Sequence, residues 1–176
     1  LVESTLSVFA DPAEDKGLRL TADIDPFLPR ALVLDPHRVR QVLMNLVSNA
    51  VKYTAAGFVR VDVRLVPAGE RRVDLELAVA DSGAGIPADQ REKIFEPFHR
   101  LGLEQGERVE GTGLGLSIVR SLVELMGGRV LVQAGEEAGS VFLVRLPGIE
   151  VAATETPVAS GAAAEADFRK LAPSRI

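Results

Sequence analysis

Apolar and polar positions along the chain follow two alternating periods. In HRVRQVLMNLVSNAVKY (37–53), Val39, Val42, Leu43, Leu46, Val47 and Ala50 recur at three- and four-residue steps, which predicts a helix with one buried face. Asp35 is placed to cap it and Pro36 to occupy its first position, where a missing N–H is not needed. LGLSIVRSLVELM (114–126) predicts a second helix, with Leu116, Val119, Leu122, Val123 and Met126 inward and Gly127-Gly128 as its stop. Elsewhere the period drops to two. LRLTADID (18–25) alternates, and ALVLD (31–35) reads as a short buried strand. FVRVDVRLV (58–66) puts Val59, Val61, Val63 and Leu65 on one face and Arg60, Asp62 and Arg64 on the other. VDLELAVA (73–80) alternates again after the turn VPAGERR, so these two runs predict an antiparallel hairpin. RVLVQA and SVFLVRLP close the sheet.

Shorter helices are expected over 1–14, with Pro12 marking its end, and over 88–95, ending near Phe95. HRLGLEQGERVE (99–110) has charge and glycine but no period, which predicts a loop. A sheet with one solvated face carries its helices on the other, so the expected class is α/β, a two-layer sandwich. Past Pro147 the chain turns small, polar and Ala-rich. The folded domain is therefore expected over 1–148 and a linker or tail over 149–176.

A polar stripe beside the apolar arc of the central helix changes the picture. At 100° per residue Gln41, Asn45, Asn49 and Lys52 line up along about three turns, although Asn weakens a helix interior. One reading is a solvated face; the other is a row of oxygen ligands and a cation facing a metal and a polyanion. Composition narrows the classes. The 176 residues suit one domain plus a tail, and the net charge of −5 gives no general attraction for nucleic acid. Absence of cysteine removes disulfides, thiolate metal sites and cysteine catalysis, and fits a reducing compartment. No apolar run reaches the roughly 20 residues a membrane helix needs. Beginning at Leu1, the chain reads as a piece of a longer protein.

Two glycine clusters bear on the stripe. In DSGAGIP (81–87), Asp81 follows a buried strand, and Gly83 and Gly85 let the backbone turn sharply and approach a ligand. A carboxylate there can accept from an exocyclic amine, or it can simply end a strand in a turn. GTGLGLSIV (111–119) runs into a helix whose first amides, unpaired, form a site for phosphate. Its spacing is neither the dinucleotide fingerprint nor a P-loop. Between the clusters lies FEPFHR (95–100), in which Phe95 and Phe98 are expected to anchor the root of the following loop.

In this order NLVSNAVKYT, DSGAGIP, FEPFHR, GTGLGL and a final AGS resemble the N, G1, F, G2 and G3 boxes of the catalytic and ATP-binding domain of sensor histidine kinases. The resemblance covers about residues 30–147 and implies the Bergerat fold, a mixed, mostly antiparallel sheet under a helical layer shared with gyrase-type, heat-shock and mismatch-repair ATPases. It implies Mg²⁺ and ATP as cofactors. Asn49 would hold the metal, Lys52 would contact phosphate, and Tyr53 would border the nucleotide. Asp81 would take the adenine amino group against a wall shaped by Gly83, Gly85 and Ile86 and backed by Ser140. Gly111, Thr112, Gly113, Leu114, Gly115 and Leu116 would close on the phosphates, with Phe95 at the loop root. Residues 99–110 would be the lid, in which Arg100 and Arg108 are candidates for phosphate contact.

Asn45 stands where the related ATPases carry a glutamate that activates water; an amide has no such basicity, which implies transfer rather than hydrolysis, with Asn45 and Lys52 as the catalytic pair. Neither His37 nor His99 lies in the setting of the family's phosphorylated helix. The implied acceptor is therefore a histidine on a separate dimerisation domain, N-terminal to Leu1 or on a partner chain, with a response-regulator receiver downstream. Neither nucleic acid nor direct membrane contact is expected of these residues, and the expected setting is the cytoplasm, on its own or as part of a membrane-bound sensor. Two other readings stand beside this one. A degenerate docking module draws on Glu110, a carboxylate beside the second glycine cluster; a gyrase-like or chaperone ATPase is disfavoured by Asn45 and the short lid.

Overall fold

The computed structural model describes residues 1–29, 31–100, 112–135 and 138–152. The longest helix, α3 (Pro36–Tyr53), begins where Asp35 accepts the backbone N–H groups of His37 at 2.9 Å and Arg38 at 3.2 Å, with Pro36 as its first residue. Val39, Val42, Leu43, Leu46, Val47, Ala50 and Val51 are all buried on one side of it. That is the apolar face read from the sequence, and each of its Val and Leu side chains contributes about 1.5–3 kcal/mol by leaving water.

The other elements are α1 (Val2–Leu6), α2 (Ala10–Asp15), β1 (Leu18–Ile24), β2 (Leu32–Val33), β3 (Gly57–Pro67), β4 (Arg72–Asp81), α4 (Gly115–Leu125), β5 (Arg129–Ala134) and β6 (Ser140–Val151). The sheet runs β1-β3-β4-β6, and the far side of β6 pairs with β5 over its first half and with β2 at its end. Only β1 and β3 pair in parallel; β3–β4, β4–β6, β5–β6 and β2–β6 are antiparallel. The register sets Val61 opposite Val79 and Val79 opposite Phe142, and these face α3 and α4 with Val59, Val63, Leu77 and Val144. On the other face Arg60 bonds Asp62 at 2.9 Å and Arg145 meets Glu76 at 2.7 Å. The two-layer sandwich with helices on one face is therefore what the structure shows.

Four expectations are corrected. ALVLD contributes only the two paired residues of β2, opposite Glu150 and Val151 before Asp35 starts α3; Leu32 and Leu34 pack on the core, while Val33 is 57% exposed. Residues 1–14 are not one helix. A 3-10 turn at Ser7–Phe9 separates α1 from α2, and Pro12 lies in the first turn of α2, where its missing N–H costs nothing. Between 88 and 95 only Lys93–Phe95 form a 3-10 turn. Finally, β6 continues to Val151, with Ile149 buried opposite Val73, so ordered pairing extends three residues past the expected boundary at 148. The rest of the expected tail, 153–176, lies outside the described residues.

Candidate functional site

Asp81 is the last residue of β4, a strand paired on both sides, opposite Val59 of β3 and Ser140 of β6. This central position leaves it 8% exposed and Ser140 4%. Its Oδ1 accepts the Gly83 N–H at 2.9 Å. Burial pushes the Asp81 pKa above the usual carboxylate range, against the pull of hydrogen bonds from the Gly83 N–H and from the Ser140 N–H and hydroxyl. Ser82 ties the base of this wall to β3: its hydroxyl accepts the Phe58 N–H at 2.9 Å and donates to the Ala56 carbonyl at 3.0 Å.

Glycine is required where the wall closes. A Cβ on Gly83 would stand 3.0 Å from both Asp81 Oδ1 and the Tyr53 carbonyl oxygen, and 3.3 Å from Thr54 Oγ1, so the end of α3 packs directly on this loop. Gly139, with φ +83°, lies so near that a side chain would run into the Asp81 carbonyl. Thr54 is fully buried beside this junction, and among the described residues its hydroxyl has no partner. A buried orphan hydroxyl next to a buried carboxylate suits a bound polar group or water.

The polar stripe of α3 faces the start of α4. A Cβ on Gly115 would lie 3.9 Å from Asn45 Oδ1 and 4.0 Å from Asn49 Nδ2, and both amides are half-buried. No side chain caps α4 at Leu114, and Thr112 Oγ1 accepts only the Leu114 N–H, at 3.4 Å. Among the described residues the opening amides of an 11-residue helix thus have no side-chain cap and lie beside two amide side chains, an arrangement suited to an anion and a hard cation. Lys52, half-buried, holds its ammonium 5.1 Å from the Tyr53 ring centre, and that ring is 54% exposed. Ile86 and Leu116 are half-buried and pack on the core. Arg100 is half-buried where the described loop root ends. Gly111, Arg108, Glu110 and the remainder of the lid lie outside the described residues.

Phe95 and Phe98 part company. Phe95 is buried, edge-on to Phe142 at 6.3 Å, with the Arg120 guanidinium 5.5 Å from its ring centre; it supports the loop root from within the core. Phe98 does not anchor the root with its ring, which is 70% exposed. Its φ of +64° turns the ring outward, and its backbone does the fastening instead, the N–H donating to the Gly113 carbonyl at 2.9 Å. Gly113, at φ +72°, has Phe98 backbone atoms 2.9 Å from where a Cβ would be. Thr54 and Gly139 lie within the N and G3 boxes, where the sequence assigns them no role; the one local signal at Thr54 is its place as the residue that closes α3. A separate open groove of about 680 Å³, lined by α1, α2 and β1, holds none of the residues above.

Residues 34–149 match the family described as histidine kinase-, DNA gyrase B- and HSP90-like ATPases. The chain belongs to this family. It is 39% identical over 168 residues to the virulence sensor protein BvgS of Bordetella bronchiseptica, covering 93% of this chain and 13% of that protein. It is 43% identical over 147 residues to the sensor histidine kinase AruS of Pseudomonas aeruginosa, covering 81% of this chain and 14% of that one. Among solved structures, full-length ShkA in complex with AMPPNP superposes with a TM-score of 0.75 at 32% identity, over 87% of this chain and 30% of that chain. A nucleotide-free catalytic domain of the histidine kinase ThkA gives 0.67 at 28% identity, over 84% and 90%. The chain spans about an eighth of the length of the two curated relatives, and it is the ATP-binding catalytic domain of a sensor-kinase-type ATPase. The residues fit that ligand class: a buried acceptor at Asp81, an orphan hydroxyl at Thr54, and free helix amides with amide oxygens at α4.

Proposed function

We propose that this domain transfers the γ-phosphoryl group of Mg·ATP to a histidine of a separate dimerisation domain, in the same or a partner chain, within a two-component relay that continues to a response-regulator receiver. The observation that carries this reading is the placement of the Asn45 and Asn49 amides against the start of α4, which has no side-chain cap among the described residues. Asp81 would accept the adenine amino group, a contact that guanine, with a carbonyl there, does not offer. Asn49 would supply an amide oxygen to Mg²⁺, which spreads the charge of the phosphates when bound. Lys52 and the first amides of α4, those of Gly115 and Leu116, would steady the phosphate oxygens.

Transfer breaks the bond between the γ-phosphorus and its bridging oxygen and forms one to an imidazole nitrogen, releasing ADP. The protein's part is positioning and charge stabilisation. Asn45 lacks the basicity to activate water, so bound ATP is spared until the acceptor arrives. Among the described residues no helix is long and apolar enough to cross a membrane, and the cytoplasm, where ATP is, is the proposed setting. Mixing the chain with candidate histidine-bearing dimerisation domains and labelled ATP tests the reading. Label should move to a histidine of the acceptor, and Asn45→Glu should raise ATP hydrolysis; no gain in hydrolysis would count against the role given to Asn45.

A further inference from the structure

Helix α3 ends beside the wall of the site, and its last carbonyls need partners. The Ala50 carbonyl receives the Thr54 N–H at 3.0 Å. The Tyr53 carbonyl faces the Gly83 turn. The carbonyls of Val51 and Lys52 are taken by a residue from a distant part of the chain: Lys16 Nζ donates to both at 2.8 Å and to the Thr54 carbonyl at 3.4 Å. Lys16 closes α2, where the Gly17 N–H returns to the Glu14 carbonyl at 2.8 Å and Gly17 at φ +64° stops the helix. Ala13, one turn earlier and 2% exposed, fixes α2 to the core. The lysine therefore reaches α3 from a seated base, and a cation at a helix C-terminus is favoured by the helix dipole as well as by the hydrogen bonds.

We infer that Lys16 is a positioning residue for the nucleotide site. It lies outside the stretch that matches the family, yet it clamps the turn that carries Lys52, Tyr53 and Thr54 and sets the Tyr53 carbonyl against Gly83, and so against the Gly83 N–H bonded to Asp81. Without its ammonium, two helix carbonyls revert to water, the last turn of α3 loosens, and the Gly83 loop loses the surface it packs on. The inference rests on the nucleotide-site reading above.

The test compares the unmutated chain with Lys16→Met, which keeps the apolar stem, Lys16→Arg, which keeps a cation, and Thr5→Val, which removes a buried hydrogen bond between Thr5 and Leu1 far from α3's end. Calorimetric titration with a non-hydrolysable ATP analogue is run well below every unfolding midpoint, beside amide hydrogen exchange at Gly83. Lys16→Met should bind about fivefold more weakly, in line with loss of a partly hydrated charged hydrogen bond. Its Gly83 amide should exchange faster, Lys16→Arg should regain part of both losses, and Thr5→Val should lower the midpoint while leaving both unchanged. Unaltered affinity and Gly83 exchange in Lys16→Met overturn the inference, as does equal weakening by Thr5→Val. If the unmutated chain binds no analogue, the nucleotide reading fails on its own, and the Gly83 exchange still decides whether Lys16 holds this turn.

Discussion

At one end of the site Asp81, Ser140 and Thr54 are each less than a tenth exposed and are held on or between paired strands and the end of α3. At the other end Asn45, Asn49 and Lys52 are half-buried, Tyr53 is mostly open, and α4 starts without a side-chain cap. The first end is closely packed. A carboxylate there is costly to ionise, and that cost gives discrimination, because a ligand lacking a matching donor leaves the charge unpaired. The second end is open to solvent, so on the proposed reading its polar groups would lose little by waiting for phosphate and metal. On the proposed reading, recognition would be built into the sheet, and the chemistry would be left to helix surfaces open to solvent.

The largest effect expected from breaking this contrast is that of Asp81→Asn. The amide oxygen can still accept from Gly83 and Ser140, while the burial penalty on charge is gone, so the unfolding midpoint should stay level or rise. Affinity for an ATP analogue should fall by about 100-fold, the scale of a buried charged hydrogen bond lost. Titration and thermal melting of the same samples check both. A parallel fall in the midpoint would show that Asp81 serves the fold first.

Acid should reproduce part of that effect. The folded-state pKa of Asp81 is raised, so between the ordinary carboxylate value and the raised one the folded chain holds a proton that the unfolded chain has released. Its contribution to stability therefore grows as pH falls through the raised value and is complete below the unfolded one. Affinity should move the opposite way, since the protonated group presents a donor to the adenine amine. Asp35 and Asp23, held below the usual range by the N–H groups of α3 and by Arg64 respectively, pull stability down on acidification, so the comparison is the difference between unmutated chain and Asp81→Asn. Stability and affinity moving together in that difference would contradict the assignment.

How far the sequence carried this picture depends on the range of each interaction. The span of α3, its Asp35 cap and its apolar face follow from periods within one element, and the β3–β4 hairpin follows from alternation either side of a short turn. Asp81 and Gly83 were legible as chemistry because few other types suit a sharp turn after a buried strand. The failures at the site depend on contacts distant in the chain or on a single backbone angle. Two aromatics three residues apart look alike until φ at Phe98 sends one ring outward. The orphan hydroxyl of Thr54, the contact of Gly139 with Asp81 and the reach of Lys16 across 35 residues leave no periodic trace.

On the open side the effects should be smaller. Asn49→Ala removes one amide oxygen from a hydrated position, so affinity measured with Mg²⁺ should drop about fivefold, within the range of one modest hydrogen bond or ligand. Without Mg²⁺ it should hardly change, and calorimetric titration under both conditions separates the two. An equal loss in both would assign Asn49 to the nucleotide itself rather than to the metal.

Smallest of all should be Tyr53→Ala. The ring is 54% exposed, and its one described partner beyond the backbone is the Lys52 ammonium 5.1 Å from its centre, a contact worth about 0.5–1 kcal/mol at an exposed position. Little packing is lost, so the unfolding midpoint should correspond to a change within about 0.5 kcal/mol. Affinity should fall about two- to threefold as Lys52 becomes freer to wander and has to be re-ordered by phosphate. Because the Tyr53 carbonyl remains against Gly83, the buried wall should keep its shape, and Gly83 amide exchange should match the unmutated chain. A loss approaching that of Asp81→Asn would mean that the open side decides binding as strongly as the buried one, and the proposed division between a buried recognition wall and an open phosphate side would have to be given up.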